Sequence, residues 1–374
     1  MEFRDLKKQY SVLKEEIDKN MQEVITDANF ISGRQVKELE EQLADYVGVK
    51  HCVSCANGTD ALTLALMVLN VSEGDAVFIP DFTFFSTGEV VSYEGATPIF
   101  VDVDQSTYNM DSIKLEQAIQ TVIKEGKLNP KVIIPVDLFG LPSNYPEINK
   151  IAKKYNLIVL EDAAQGFGGK IGDQRACSFG DIATTSFFPA KPLGCYGDGG
   201  AIFTNNDEWA SLLESYRVHG KGTFKYDNIR IGMNSRLDTI QAAVLKVKLK
   251  AFDEHELEQV NLVAKQYDNL LTGVVRIPVI PEGFYSSWAQ YTIQLSSKDK
   301  RDDLQKELKA EGIPTMIYYP KPMHRQDAFM MKNVNEDSYA ITNQLCDTVL
   351  ALPMHPYMEQ KDVEMICALI RKLV

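Results

Sequence analysis

The chain has 374 residues, a formal net charge of −13 and an isoelectric point near 5.0, with 45% hydrophobic and 24% charged residues. Such proportions suit a soluble globular chain with room for one large domain and a smaller one. The acidic balance argues against a nucleic-acid or anionic-membrane partner, because both require clustered basic surface. It leaves room for a local basic pocket. Residues 1–8 lack the apolar core of a signal peptide, and no apolar run approaches the ~20 residues of a spanning helix, so a cytoplasmic location is expected.

Taken in chain order, residues 10–28 and 35–47 read as amphipathic helices. Cys52-Val53-Ser54-Cys55 has CxxC spacing, but it lies in a β-rich run leading to Asn57-Gly58. A zinc site needs a second ligand pair, and Cys177, Cys195, Cys346 and Cys367 are scattered. Packed, reduced thiols and no metal site are expected. Short apolar strands then alternate with helices: Asp75–Pro80, Pro98–Val103, Lys131–Val136, Asn156–Glu161, Asp181–Phe188 and Ala201–Thr204. Nearly continuous apolar strands separated by helices predict an α/β fold with a mostly parallel sheet flanked by helices. The helix Thr59–Leu69 reads as largely buried.

A long helical stretch follows over 236–272, then strand Ala289–Leu295, a helix near 301–311, strand Thr315–Tyr319 and a helix near 360–373. Pro278 and Pro281 bracket a boundary. The expected division is 1–275, N-terminal helices plus the large α/β domain, and 276–374, a small C-terminal α+β domain.

Ligands of open α/β sheets bind beyond the carboxyl ends of the strands, where four stations fall. At Ala56-Asn57-Gly58-Thr59 a strand turns into a helix N-terminus, an anion site to which Thr59 adds a hydroxyl. At Leu160-Glu161-Asp162-Ala163-Ala164-Gln165 a strand delivers two carboxylates, and alternation sends one to the ligand side; Asp162 is the choice, with Gln165 a turn away. Ser186 and Lys191 flank Phe187-Phe188-Pro189-Ala190, and four glycines crowd Gly194–Gly200. At Asn234-Ser235-Arg236, polar residues open another helix. Taken singly, each station also reads as ordinary capping or a surface turn. Together they match the needs of pyridoxal 5'-phosphate: a helix N-terminus for the phosphate, a carboxylate for the ring nitrogen and an amine for the aldehyde.

These motifs, in this order along essentially the whole chain, resemble the pyridoxal-phosphate sugar aminotransferases of the DegT/DnrJ/EryC1/StrS family, within fold type I. The resemblance implies that Lys191 holds the cofactor and shuttles the proton, and that Asp162 pairs with the pyridine nitrogen. It places Gln165 near the ring oxygen and Phe84 stacked on the ring. It further implies that Gly58, Thr59 and Ser186 bind the phosphate and that Asn234 reaches it across a homodimer interface. Family members with histidine at the lysine position are dehydratases, so Lys191 favours transamination.

Pro192–Gly200, His219-Gly220, Ile229-Arg230 and Leu352-Pro353-Met354-His355-Pro356-Tyr357 look like the members that aminate a UDP-linked 3-keto N-acetylhexosaminuronic acid for O-antigen assembly. That resemblance implies L-glutamate as donor and an arginine fork for the uronate, with Arg230 as candidate. Tyr319 and His324 are added as walls of the sugar pocket. The alternative is another nucleotide keto sugar, such as a 4-keto-6-deoxy hexose.

Overall fold

Seven strands form the central sheet of the computed structural model, which describes residues 1–224, 226–329 and 335–374. They are β1 (His51–Cys55), β2 (Asp75–Pro80), β3 (Thr97–Val101), β4 (Asn129–Ile133), β5 (Ile158–Asp162), β6 (Ile182–Ser186) and β7 (Gly200–Thr204). Their spatial order is β1-β7-β6-β5-β4-β2-β3. Only β7 runs against its neighbours in this sheet, pairing antiparallel with both β1 and β6. β2 is buried along its whole length, as a strand covered on both faces must be. Two strand prolines fall where a missing N–H costs little: Pro98 on edge strand β3, and Pro130 beside a register shift between β2 and β4.

Among the described residues of this region the helices are α1 (Leu6–Asp27), α2 (Arg34–Val47), α3 (Gly58–Val68), α4 (Ser86–Tyr93), α5 (Ser112–Glu125), α6 (Tyr145–Tyr155), α7 (Asp207–Tyr216), α8 (Thr239–Ala251) and α9 (Leu257–Leu271). Period-two alternation along the strands feeds two separate cores. Ala76, Phe78, Ile133 and Val159 join α2, α5, α6, α8 and α9 on one face. Val77, Ile79, Val132 and Leu160 join α3, α4 and α7 on the other. The result is three layers, with every parallel strand pointing its carboxyl end toward the same edge of the sheet.

The expected helical stretch 236–272 starts three residues late, because Asp238 and Thr239 first pair with the Phe30–Ile31 segment. It is then interrupted by a π-turn at Phe252–Glu256. In the C-terminal region, β8 (Tyr291–Gln294) pairs antiparallel with β9 (Val349–Leu352), beside α10 (Lys298–Ala310), α11 (Ala340–Thr348) and α12 (Gln360–Leu373). The expected strand Thr315–Tyr319 does not form. Met316 alone bridges to Ala351, and Pro320 and Pro322 remove the donors that would extend a ladder. All six cysteines are buried free thiols. No cluster of potential metal ligands occurs among the described residues, and none of their helices is long and apolar enough to cross a membrane.

Candidate active site

The carboxyl ends of β1, β2, β5 and β6 open on one cavity of about 480 Å³, walled at the far side by Tyr318 and Tyr319. That volume suits a small-molecule site. At the end of β1, the Asn57 side chain caps α3 by accepting the Asp60 N–H at 2.8 Å. Helix geometry leaves other first-turn amides for a ligand. A Cβ on Gly58 would lie 2.7 Å from the Ser186 Cβ, so glycine is what lets α3 approach the end of β6. The Thr59 and Ser86 hydroxyls meet at 2.8 Å, and the Ser186 hydroxyl accepts the Phe188 N–H at 3.2 Å. Three hydroxyls and a helix N-terminus therefore stand together at one end of the cavity.

At the end of β5, alternation separates the two carboxylates. Glu161 turns to the opposite side and accepts the N–H groups of Cys177, Phe179 and Gly180. Asp162 faces the cavity, taking the Ala164 N–H at 3.1 Å and the Thr87 hydroxyl at 3.0 Å. Burial pushes its carboxyl above the ordinary aspartate range, against the pull of these two bonds and of the Lys191 charge. An acid held this way is short of a cation. Lys191 lines the same cavity, and burial brings its amine down to about 8, although the Asp162 charge pulls it up. At pH 7 roughly a tenth is then the free base, far more than for an ordinary lysine, and this is the form that attacks a carbonyl or accepts a proton. Gln165 is fixed at both ends: its Oε1 accepts the Phe139 N–H at 2.9 Å, and its Nε2 donates to the Tyr319 hydroxyl at 3.0 Å. Phe84 stands 54% exposed at the cavity wall, its ring 6.3 Å from that of Tyr319.

Gly58, Thr59, Phe84, Asp162, Gln165, Ser186, Lys191 and Tyr319 are thus brought together, and three expected residues lie elsewhere. Asn234 accepts a hydrogen bond from Arg236. Arg230 donates to the Ser215 hydroxyl, with its guanidinium 5.7 Å from the Tyr216 ring centre. It lines a different depression together with His219, Lys221 and Arg236. His324 is buried on Asp81, with Nδ1 2.6 Å from Oδ2, and its ring stacks on Tyr339 at 4.3 Å. The expectation that His324 walls the sugar pocket gives way to a structural place behind the site.

Ser86, Thr87, Gln290 and Tyr318 are among the cavity residues outside the expected set. Ser86 and Thr87 sit in the run Asp81–Thr87, whose hydroxyl density beside Phe84 was a usable signal. Gln290 and Tyr318 come from the C-terminal region and have no local signature. Gln290 Oε1 is buried at the cavity wall and has no hydrogen-bond partner among the described residues. This orphan acceptor, the unmet acid Asp162 and the hydroxyl cradle fit a phosphorylated, cationic ring compound such as pyridoxal phosphate.

Residues 11–371 match the model of the DegT/DnrJ/EryC1/StrS aminotransferase family. The chain is 44% identical, over 98% of its length and 99% of the relative's, to the UDP-2-acetamido-2-deoxy-3-oxo-D-glucuronate aminotransferase of Pseudomonas aeruginosa. It is 39% identical, over 98% of its length and 96% of the relative's, to the UDP-N-acetyl-3-dehydro-alpha-D-glucosamine 3-aminotransferase of Acidithiobacillus ferrooxidans. A crystal structure of a DegT DnrJ EryC1 StrS aminotransferase from Brucella abortus superposes with a TM-score of 0.96 at 48% identity, covering 100% of this chain and 99% of that one. The chain belongs to the DegT/DnrJ/EryC1/StrS aminotransferase family and is a sugar aminotransferase of the type I fold that depends on pyridoxal phosphate.

Proposed function

We propose that the protein transfers an amino group from L-glutamate to UDP-2-acetamido-2-deoxy-3-oxo-D-glucuronate, in the cytoplasm, for assembly of a surface polysaccharide such as O-antigen. The observation that carries the chemistry is one cavity in which a lysine amine of depressed pKa and a buried, underpaired aspartate stand beside a helix N-terminus. Similarity to the P. aeruginosa aminotransferase supports the substrate.

In this reading the first-turn amides of α3 and the hydroxyls of Thr59, Ser86 and Ser186 hold the phosphate. Asp162 holds the positive charge of the ring nitrogen, and Thr87 and Ala164 fix which way its oxygens point. Gln165, clamped between Phe139 and Tyr319, presents its amide to the ring edge. Bound pyridoxal phosphate supplies an electron-withdrawing ring that stabilises negative charge at the reacting carbon and carries nitrogen between the two substrates. Lys191 Nζ accepts the proton released at the donor's α-carbon, and later delivers one to the sugar carbon that receives the amine. Phe84 and Tyr319 keep water from the ring faces, where it would compete for that proton.

The segment carrying Arg230 and Asn234 lies outside this cavity, and we assign it to the site of a second copy in a homodimer. Phe224, Ile229 and Ile231 on that segment are exposed, as residues covered by another chain are in an isolated one. Across the interface, Asn234 reaches the phosphate and the Arg230 fork takes the uronate carboxylate. Steady-state kinetics on Arg230→Ala test the substrate. KM for the 3-keto uronate is expected to rise about tenfold to a hundredfold, while KM for the neutral UDP-linked 3-keto N-acetylglucosamine stays near wild type. Equal effects on both sugars overturn the carboxylate assignment.

A further inference from the structure

Lys191 has a neighbour from the far end of the chain. The short arm before α1 is pinned at three points around the cavity. The Phe3 carbonyl accepts the Met354 N–H at 3.1 Å, and the Phe3 ring sits edge-on to Tyr318 at 6.3 Å. Arg4 Nη2 donates to the Pro192 carbonyl at 3.2 Å, one residue past Lys191. The turn it grips is tightly wound: Lys191 N–H bonds Phe188 O at 2.9 Å, and a Cβ on Gly194 would meet the Pro189 carbonyl at 2.5 Å. A second cation grips the same turn, since the buried Lys248 donates to the Gly194 carbonyl.

We propose that Arg4 is a positioning residue for Lys191: it ties the lysine turn to the arm and adds positive charge behind the amine. The inference rests on reading Lys191 as the reactive amine. Asp198, Tyr318 and Tyr319 line the same cavity as Lys191. Asp162, from the end of β5, favours the ammonium form of Lys191, and Arg4 opposes it. Behind Arg4 stand Lys248 from α8, Glu256 from the π-turn and His355 from the C-terminal region. Glu256, the anion of that group, is engaged by Gln9 and Tyr357. The field at the amine is therefore set mainly by one acid in front and one guanidinium behind. An arginine suits the second role because it stays charged when desolvated and its fork grips a carbonyl.

The test titrates the amine itself, in full-length protein stripped of cofactor, by labelling with acetic anhydride across pH and reading the Lys191 peptide by mass spectrometry. Arg4→Gln keeps a donor for Pro192 O and removes the charge. It is expected to raise the Lys191 midpoint by roughly half a unit to one unit. Arg4→Lys keeps the charge and is expected to stay near the unsubstituted midpoint. Asp162→Asn is expected to move it the other way, which calibrates the method. A depressed midpoint that Arg4→Gln leaves in place, with or without a lower Tm, overturns the inference alone. An ordinary lysine midpoint in the unsubstituted protein overturns the reading of Lys191 itself and this inference with it.

Discussion

Two aspartates occupy matching places in this sheet and lead opposite lives. Asp81 directly follows β2 and Asp162 ends β5, and both are buried. Both oxygens of Asp81 are taken by one residue, the backbone N–H of His324 at 2.8 Å and its ring Nδ1 at 2.6 Å. Asp162 receives an amide and a hydroxyl, and its base, Lys191, stands on the same cavity wall. The first pair is closed inside the protein, although burial still holds the Asp81 carboxyl above its ordinary range, and it fastens the Met323–Arg325 turn behind β2. The second is left underpaired, so that an incoming cationic ring completes it. A strand-end acid thus becomes structural or functional according to whether the protein itself supplies the last partner.

Substitutions on the open pair should abolish chemistry and spare the fold, and substitutions on the closed pair should do the reverse. The largest effect is expected from Lys191→Ala: turnover falls by at least about 10⁴-fold, and mass spectrometry after borohydride treatment finds no cofactor on that peptide. Asp162→Asn is expected to cost about 10²–10³-fold in kcat while the cofactor-free protein melts no lower than wild type. Because burial raises its folded pKa, the Asp162 contribution to stability is complete at acid pH and is lost as pH rises; thermal melts across pH should show that the asparagine variant lacks this slope. In the closed pair, His324→Gln is expected to lose about 3 kcal/mol of stability by denaturant titration, with kcat per folded molecule little changed. Burial lowers the His324 pKa, but Asp81 and Glu336 raise it further. Its contribution is thus whole below the ordinary histidine value and fades at higher pH, so the gap to wild type should narrow on the alkaline side. The smallest effect belongs to Thr87→Val, which removes one bond to Asp162 and should lower kcat about tenfold. If Thr87→Val matched Asp162→Asn, the acid would depend on its orienting bond as much as on its charge.

The site's local pieces were legible because each is written in a few consecutive residues. Asn57-Gly58-Thr59 carries its own turn and cap, and the carboxylate pair Glu161-Asp162 needs only strand alternation to be sorted. Residues brought in from a distance were not. Gln290 and Tyr318 reach the cavity only through the packing of the C-terminal region on the sheet, and no spacing announces that. The buried place of His324 was hidden for a related reason. A histidine near a site draws a functional reading, whereas the deciding fact, an aspartate at position 81 closing on its backbone N–H and ring Nδ1, spans 243 residues of chain. The strand expected at Thr315–Tyr319 failed because its β-forming residues are flanked by prolines and answer to the cavity wall. β9, in contrast, is a four-residue apolar run that a helix end could equally have claimed.

The six buried thiols have a practical corollary. Burial raises every one of them above the ordinary cysteine value, which suppresses the thiolate that reagents attack. The folded chain is therefore almost silent to maleimides as it stands. A single cysteine placed on exposed surface, for instance at Lys127, would take a fluorophore or spin label there and nowhere else, giving a clean optical handle on how the two substrates enter and leave.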